Sequence, residues 1–169
     1  MKKNTITRVG ILVVITIVMA AVLSSCIPQI GETEEEKAQK AHREYMSQVN
    51  RLLDSLTLEL DAFGDAVAEE NAAKMNSHTD KVKAIIVELR AIKAPEGLAV
   101  VHNEYVTGCD ELREALEAYV TLYTALNSAT EEEPFDYATF NEELQKVKKK
   151  YDSGIKHLET GDAKALEMP

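Results

Sequence analysis

The sequence is poor in the residue types that mark strands and tight turns. Its 169 residues include no tryptophan, seven glycines and four prolines, and aromatic residues make up only 5% of the chain. No stretch shows the strict alternation of apolar and polar residues that is typical of a half-buried β-strand. These absences leave the helix as the expected element, so the fold class should be all-α.

Motifs for the chemistry of helical bundles are missing as well. No Glu-x-x-His sequence includes any of the four histidines, so the carboxylate-bridged di-iron pattern of some bundles is absent. Cys-x-x-Cys-His, His-Glu-x-x-His and a glycine-rich phosphate loop are also absent from the sequence. The isolated serines have no recognisable base beside them. We therefore expect no catalytic residues, no enzyme activity and no cofactor.

The N-terminus has the three parts of a signal peptide. A basic region precedes an apolar stretch over residues 9–23, and the small residues Ser24 and Ser25 close the segment before Cys26. The basic residues are Lys2, Lys3 and Arg8. Residues 1–25 are therefore predicted to be a signal peptide that the mature protein lacks.

The sequence Leu23-Ser24-Ser25-Cys26 resembles the lipobox of bacterial lipoproteins. The resemblance implies that the sulfur of Cys26 receives a diacylglyceryl group, and that cleavage exposes an amino group which many bacteria also acylate, as with palmitate. Two or three acyl chains anchor a protein stably, whereas one chain binds reversibly. The alternative is an uncleaved membrane helix, because residues 9–27 approach the roughly 20 residues that a span requires. Either way, the positive flank places the rest of the chain outside the cytoplasm.

The 144 residues that follow the signal peptide are enough for one domain. The first 25 residues hold three basic and no acidic residues, which leaves 16 basic against 29 acidic groups and a net charge of −13. Such a surface repels nucleic-acid phosphates and anionic lipid headgroups. We expect no nucleic-acid partner. Attachment to the bacterial cell membrane, or to the outer membrane of a Gram-negative host, should depend on the acyl chains on Cys26.

Helical periodicity begins after the acylated cysteine and a short tether at residues 26–32. Thr33 and Glu36 fit a capping box, in which each side chain satisfies a free amide of the other residue. From there, apolar residues recur every three or four positions in four stretches. The predicted helices cover residues 33–69, 72–93, 95–127 and 135–160.

Turn and terminator residues set these boundaries. Glu70 and Asn71 are the expected turn between the first two helices. Pro95 should begin the third helix, because proline is tolerated in a first turn and not in a helix interior. Gly161 is a plausible terminator of the fourth helix, so residues 161–169 should form a flexible tail.

Four amphipathic helices with short connections predict an antiparallel up-down-up-down four-helix bundle. The third helix has the most regular seam, and Gly108 and Ala115 in this seam should let a neighbouring helix approach closely. The tether makes the end at which the first helix starts the membrane-proximal end. Cys109, beside the same seam, is expected to be a small buried residue rather than a reactive or intermolecular thiol.

Three histidines form the first candidate site. His42, His102 and His157 fall at a similar height near the membrane-proximal end and border the apolar stripes of three helices. Imidazole groups with a nearby carboxylate, Glu104 or Glu159, are ligands that suit zinc or copper. The simpler interpretation is that the histidines are half-buried, hydrogen-bonded boundary residues.

Three tyrosines form the second candidate site. Tyr45, Tyr105 and Tyr151 fall in the same predicted layer, where an aromatic cluster could line a pocket for an apolar or aromatic ligand. Tyrosines at seam spacing also occur as core residues whose hydroxyl reaches solvent or a carbonyl. Both interpretations fit the sequence.

The sequence favours a lipid-anchored, extracytoplasmic, non-catalytic module that interacts with an envelope protein or a cell-wall component, or serves a structural role. The mature part is similar to small helical bacterial lipoproteins of uncharacterised function, and this resemblance implies no functional motif. The alternative is a carrier or sensor that binds a metal ion or a small ligand at the membrane-proximal end of the bundle.

Overall fold

The computed structural model describes residues 33–132 and 134–168, and these residues form four helices and no strand. The helices are α1 (Glu34–Ala68), α2 (Ala72–Ala91), α3 (Ala99–Asn127) and α4 (Tyr137–Leu166). The all-α four-helix fold is therefore confirmed. The predicted signal peptide, Cys26 and the tether lie outside the described residues.

The capping box at the start of α1 is present. The Thr33 side chain accepts a hydrogen bond from the Glu36 amide at 3.2 Å, and the Thr33 amide donates to Oε2 of Glu36 at 2.8 Å. The Thr33 hydroxyl also donates to Oε2 of Glu36 at 3.1 Å. The two bonds that the carboxylate accepts, led by the one from the Thr33 amide, hold the pKa of Glu36 below its ordinary value because they favour the charged form. Glu34 and Glu35 in the same turn suit the positive end of the helix dipole.

α1 and α2 are joined by a tight turn at residues 69–71. Glu70 has a positive φ of 54°, which is uncommon for a residue other than glycine. The Asn71 side chain caps α2 by accepting a hydrogen bond from the Lys74 amide at 3.0 Å. The Tyr123 hydroxyl donates to the Glu70 carbonyl oxygen at 2.6 Å. α3 therefore helps to fix the turn between the first two helices.

The third helix begins later than the sequence predicts. Pro95 does not start α3, because residues 95–97 form a turn in which the Leu98 amide donates to the Pro95 carbonyl oxygen at 3.0 Å. Gly97 has a φ of 89° there, a left-handed conformation that glycine adopts readily. The helix follows this turn and starts at Ala99. The second helix ends at Ala91, not at residue 93.

The fourth helix extends beyond its predicted end, so residues 161–166 are not a flexible tail. α4 begins at Tyr137, two residues after the predicted start, and runs through Gly161 to Leu166. Gly161 is buried, and a Cβ at this position would lie 2.7 Å from the ring of Tyr105 in α3. The glycine therefore accommodates a close helix contact instead of ending the helix.

Neighbouring helices run in opposite directions. Along each pair of neighbours, residue numbers rise in one helix as they fall in the other. The ion pairs that show this order are Lys83–Glu117 and Arg90–Asp110 between α2 and α3, and Glu104–Lys164 and Glu114–Lys150 between α3 and α4. Between α1 and α2, the turn at residues 69–71 and the Glu59–His78 pair require the same antiparallel arrangement. α1 and α3 run parallel, because Tyr45 meets His102 near their starts and Phe63 meets Tyr119 further along.

The core contains apolar side chains from the first three helices together with partly buried residues of α4. Its largest fully buried side chains include Leu56 of α1, Met75 and Leu89 of α2, and Tyr105 and Leu112 of α3. None of the helices in the described residues is long and apolar enough to span a membrane.

α3 and α4 approach each other so closely that their backbones touch. A Cβ on Gly108 would lie 2.7 Å from the carbonyl oxygen of Gly154, and a Cβ on Gly154 would lie 2.8 Å from that of Gly108. By contrast, no Cα atom of α1 lies within 8 Å of a Cα atom of α4. The glycine contact holds α4 against α3 and leaves a gap between α1 and α4.

Candidate functional site

The gap between α1 and α4 forms a largely apolar cavity, which we call the α1–α4 groove. Its volume is about 460 Å³, within the range of small-molecule sites. The lining residues are Leu60, Phe63, Gly64 and Val67 of α1, Ala115, Leu116 and Tyr119 of α3, and Leu144, Val147, Lys148, Tyr151 and Asp152 of α4.

Gly64 widens the wall that α1 contributes to the groove. The residues Met46, Leu53, Leu60 and Val67, spaced by seven, are all partly buried against the core. Gly64 lies between the last two of them, is exposed, and would have no atom within 4 Å of an added Cβ. The missing side chain therefore leaves open space in this wall.

A second, wider depression lies along the outer face of α1. It has a volume of about 610 Å³, but all of its lining residues belong to α1, from Arg43 to Leu58. It therefore has no opposing wall. The α1–α4 groove has walls from three helices and can bury a ligand on several sides, so we take it as the candidate site.

Three aromatic rings line the α1–α4 groove. Phe63 and Tyr119 pack edge to face, with ring centroids 5.9 Å apart and an interplanar angle of 74°. Aromatic pairs prefer this arrangement because a positive ring edge meets a negative ring face. Tyr151, on the opposite wall, has 36% of its surface exposed, so its ring is accessible to a ligand.

The hydroxyl groups of Tyr119 and Tyr151 are available to a ligand. Neither hydroxyl forms a hydrogen bond with another residue in the described part of the chain. Burial raises the pKa of both groups, and the negative charges of Asp61 and Asp152 raise the pKa of Tyr151 further. Both side chains are therefore neutral phenols near neutral pH, able to donate or accept a hydrogen bond.

Charged residues lie at the rim of the groove. Lys148 and Asp152 form an ion pair one turn apart on α4. Asp61 of α1 is exposed and is not among the lining residues, but its charge acts on the Tyr151 hydroxyl. The two charged residues of the lining therefore balance each other.

The structure separates the three tyrosines of the predicted aromatic layer. Tyr45 and Tyr105 lie in the core, with 2% and 0% of their surfaces exposed. The Tyr45 hydroxyl is 3.2 Å from Nδ1 of His102, and burial raises the pKa of Tyr45 to about 12. The Tyr105 hydroxyl donates to Oδ1 of Asp162 at 2.8 Å. Of the three tyrosines, only Tyr151 lines the α1–α4 groove.

Two of the predicted metal ligands have separate partners. His102 contacts Tyr45, and burial lowers the pKa of His102. Nδ1 of His157 lies 2.7 Å from Oε2 of Glu104, whose other oxygen accepts a hydrogen bond from Lys164 at 2.5 Å. His102 and Glu104 are two positions apart in α3 and so point about 200° apart around the helix. His102 and His157 therefore lie on different sides of α3.

The third predicted ligand, His42, lies near the start of α1 beside residues 95–98. Within residues 33–132 and 134–168, no group of three His, Cys, Asp or Glu side chains is arranged to hold a metal ion. The geometry therefore gives no support to a metal site at His42, His102 and His157. All three histidines are half-buried, and His102 and His157 have the hydrogen-bond partners that the simpler interpretation expects.

Of the two cysteines, only Cys109 lies in the described part of the chain. Cys109 is buried in the core, and burial, with a smaller effect of the Asp110 charge, raises its pKa to about 12. Its thiol is therefore protonated and a poor nucleophile at neutral pH. Cys26, the predicted lipidation site, lies outside the described residues and stays a prediction.

Comparison with known proteins gives no match for this chain. No protein-family model, no curated protein and no solved structure is significantly similar to it.

The sequence pattern alone does not mark Phe63, Gly64 or Tyr119 as site residues. Phe63 and Tyr119 occupy seam positions, where a core role is the simpler interpretation. The available signal is Gly64, because a glycine inside a helix costs roughly 0.5–1 kcal/mol relative to alanine. A glycine beside a buried phenylalanine in the longest helix indicates a position where space is needed.

Proposed function

We propose that this protein is a lipid-anchored, extracytoplasmic and non-catalytic binding module that holds a small apolar ligand in the α1–α4 groove. The observation that carries the proposal is a groove with walls from three helices, lined mainly by aliphatic and aromatic side chains. Such sites bind a ligand by burying its apolar surface, while a few polar groups orient it. A carrier or a sensor would use a site of this kind.

The polar groups of the groove suit binding more than bond-making chemistry. They are the hydroxyls of Tyr119 and Tyr151 and the ion pair between Lys148 and Asp152. Among these lining residues, no nucleophile stands next to a base that would activate it. The hydroxyls can instead fix the orientation of a ligand.

The dimensions of the groove favour a small molecule over a helix of a partner protein. A helix with its side chains is about 10–12 Å wide and needs a long trough. On α1 the lining of the groove extends only from Leu60 to Val67, about two turns. An envelope protein or wall component, which the sequence alone favours as a partner, is therefore less suited to this groove.

The lipid anchor is the second part of the proposal. It is supported by the resemblance of Leu23-Ser24-Ser25-Cys26 to a lipobox and by the net charge of −13 after the signal peptide, which disfavours attachment to anionic headgroups. Mass spectrometry of the native protein tests it. We expect Cys26 at the N-terminus with acyl chains, and a Cys26→Ser control should keep the unprocessed N-terminus. A native chain with an unmodified Cys26 would refute the anchor.

Photolabelling of the full chain in phosphatidylcholine vesicles tests the groove. The probe is a benzyl alcohol that carries a trifluoromethyl-diazirine group, which is neutral, apolar and small enough for a cavity of about 460 Å³. Labelled peptides are identified by mass spectrometry. We expect saturable labelling of the segments at residues 60–67 and 144–152, because these segments form the two facing walls.

Two substitutions at Gly64 provide a matched comparison for this experiment. Gly64→Phe should remove most of the saturable labelling, because its ring enters open space and fills the groove without a clash at Cβ. Gly64→Ala should keep most of the labelling. If both variants fold, as judged by circular dichroism, and Gly64→Phe is labelled as strongly as the wild type, the groove is not the ligand site. Labelling that only an amphipathic helical peptide displaces would point to a partner protein instead.

A further inference from the structure

Three aromatic rings line the α1–α4 groove, and two of them already pair with each other. Phe63 and Tyr119 pack edge to face, whereas the ring of Tyr151 contacts no other ring in the described part of the chain. The charged residues of the lining, Lys148 and Asp152, balance each other and give no charge by which to select a ligand. Selection in this groove therefore depends on its rings and its hydroxyl groups.

The helix directions place Tyr151 and Tyr119 at different heights in the groove. Lys150 forms an ion pair with Glu114, so Tyr151 lies near the level of Glu114 on the antiparallel helix α3. Tyr119 is five residues further along α3, which is about 7.5 Å along the helix axis at a rise of about 1.5 Å per residue. The two rings are therefore attached to their walls more than one turn apart.

Both tyrosine side chains lean into the space between these two heights. The Cα–Cβ bonds of a helix tilt toward its N-terminus. Tyr119 therefore leans toward the start of α3, and Tyr151 leans toward the start of α4, which lies at the opposite end of the bundle. The rings lean toward each other and still make no ring contact. The cavity thus keeps a space between Tyr151 and the pair formed by Phe63 and Tyr119.

Resting on the proposed function, we propose that the ligand of the α1–α4 groove is a planar aromatic molecule with one hydroxyl or carbonyl group. Its ring fills the space between Tyr151 and the Phe63–Tyr119 pair and packs against both. Its oxygen forms a hydrogen bond with a tyrosine hydroxyl, since neither the Tyr119 nor the Tyr151 hydroxyl has a hydrogen-bond partner in the described residues.

A saturated ligand of the same size uses the groove less fully. It buries as much apolar surface, but it has no ring face or ring edge to pair with Tyr151. Aromatic pairs are stabilised beyond the burial of their area, because the positive edge of one ring meets the negative face of the other. The lining should therefore distinguish an aromatic ring from a saturated ring of equal size.

Competition between ligands that share one skeleton tests this inference. The benzyl alcohol diazirine probe labels the full chain in phosphatidylcholine vesicles, and each competitor displaces the saturable labelling at residues 60–67 and 144–152. The competitors are β-naphthol, its saturated analogue decahydro-β-naphthol, and β-methylnaphthalene, which has no oxygen. Affinities are expressed relative to the partition of each competitor into the lipid, which removes differences in general apolarity. We expect β-naphthol to bind about twofold to tenfold more tightly than either of the others.

Two substitutions at Tyr151 separate the effect of its ring from that of its hydroxyl. Tyr151→Leu keeps an apolar side chain without a ring, so β-naphthol and its saturated analogue should compete about equally. Tyr151→Phe keeps the ring, so β-naphthol should still compete better than the saturated analogue, while its advantage over β-methylnaphthalene shrinks. Circular dichroism checks that both variants fold, and the competition on the wild type depends on neither.

The outcomes distinguish failure of this inference from failure of the proposed function. If decahydro-β-naphthol or β-methylnaphthalene competes as well as β-naphthol on the wild type, this ligand class is overturned while the groove stays a binding site. Retention of the ring preference in Tyr151→Leu, or its loss in Tyr151→Phe, also overturns it, because the Tyr151 ring would not be the source. If the probe labels the wild type no more strongly than Gly64→Phe, the proposed function itself fails.

Discussion

The carbonyl oxygen of Gly154 in α4 occupies the space in which a side chain of Gly108 in α3 would lie, 2.7 Å from an ideal Cβ. The contact joins two backbones, so neither side can yield by a change of rotamer. It brings α4 closer to α3 than any larger residue pair would allow. Since α1 has no equivalent glycine contact with α4, the space between α1 and α4 stays open.

Gly154→Ala is expected to destabilise the protein. The new Cβ would lie 2.8 Å from the Gly108 carbonyl oxygen and 3.0 Å from the Leu112 amide nitrogen, so the helices must separate. Overpacking of this kind costs about 1–3 kcal/mol, which outweighs the helix propensity of alanine. Urea unfolding followed by circular dichroism measures the change in unfolding free energy.

Gly64→Ala is the matched control for that experiment. Its Cβ would meet no atom within 4 Å, so only the propensity effect remains. The variant should gain about 0.5–1 kcal/mol of unfolding free energy. Equal stability of the Gly64 and Gly154 variants would show that the α3–α4 contact is looser than described.

Tyr105→Phe is expected to loosen the end of α4 while the rest of the bundle stays folded. The substitution removes the hydrogen bond from the Tyr105 hydroxyl to Asp162, which is worth about 1 kcal/mol. Amide hydrogen exchange at residues 161–166 should become faster. Tyr123→Phe removes a hydroxyl that donates to the Glu70 carbonyl oxygen, far from this end, and should leave that exchange unchanged. Faster exchange of α4 in both variants would count against a local effect.

Acidification should weaken the fold through His102 below about pH 6.5. Burial lowers the pKa of His102 in the folded protein below its ordinary value of 6.5. Between the two pKa values the unfolded chain binds a proton that the folded protein does not bind, so the unfolding free energy falls as the pH falls. Above about pH 6.5 the imidazole is neutral in both states and this contribution is constant. Urea unfolding at a series of pH values measures the effect.

His102→Gln should remove this part of the pH dependence while it keeps a hydrogen-bonding group beside Tyr45. Glu36→Gln serves as a control, because the pKa of Glu36 is held below its ordinary value of 4.5 by its capping hydrogen bonds with Thr33. The contribution of Glu36 is therefore lost only as the pH falls below about 4.5. If His102→Gln has the same pH profile as the wild type between the two pKa values of His102, another group is responsible.

Cys109 should resist alkylation in the folded protein. Its side chain is fully buried, and its raised pKa of about 12 keeps the thiol protonated. Iodoacetamide should modify the peptide containing Cys109 only in urea, at a rate that follows unfolding, as measured by mass spectrometry. Gly154→Ala should speed this reaction because it weakens the packing of α4 against α3, the helix that contains Cys109. Fast modification of the native wild type would contradict the burial of Cys109.

The four helices could be predicted because each has a continuous apolar stripe and a local signal at most of its ends. Thr33 caps α1 in the predicted way, and the turn at Glu70 and Asn71 joins α1 to α2. The ends that differ are those where tertiary contacts outweigh local preference. Gly161 has the local character of a terminator, but its contact with the ring of Tyr105 keeps it inside a packed helix.

The candidate site could be predicted only in part, because it depends on how far apart two helices lie. Tyr151 is a predicted ligand-binding residue and does line the α1–α4 groove, whereas Tyr45 and Tyr105 are core residues. The position of a residue along the bundle axis can be predicted by counting residues from the helix ends. Which neighbouring helix its side chain faces depends on how the helices pack, and this cannot be counted. The same limit applies to His102 and His157, which face different partners.

The glycines of α4 also determine the sense in which the chain winds around the bundle. An up-down-up-down bundle can turn to the left or to the right, depending on which flank of α3 receives α2 and which receives α4. α2 contains no glycine, so it cannot make the backbone contact that Gly108 requires of a close neighbour. Gly154 makes that contact, and Gly161, seven residues later, leaves room for the ring of Tyr105, so the two glycines together favour one register of α4. The two flanks of α3 are thereby distinguished, and the sequence specifies one of the two handed arrangements.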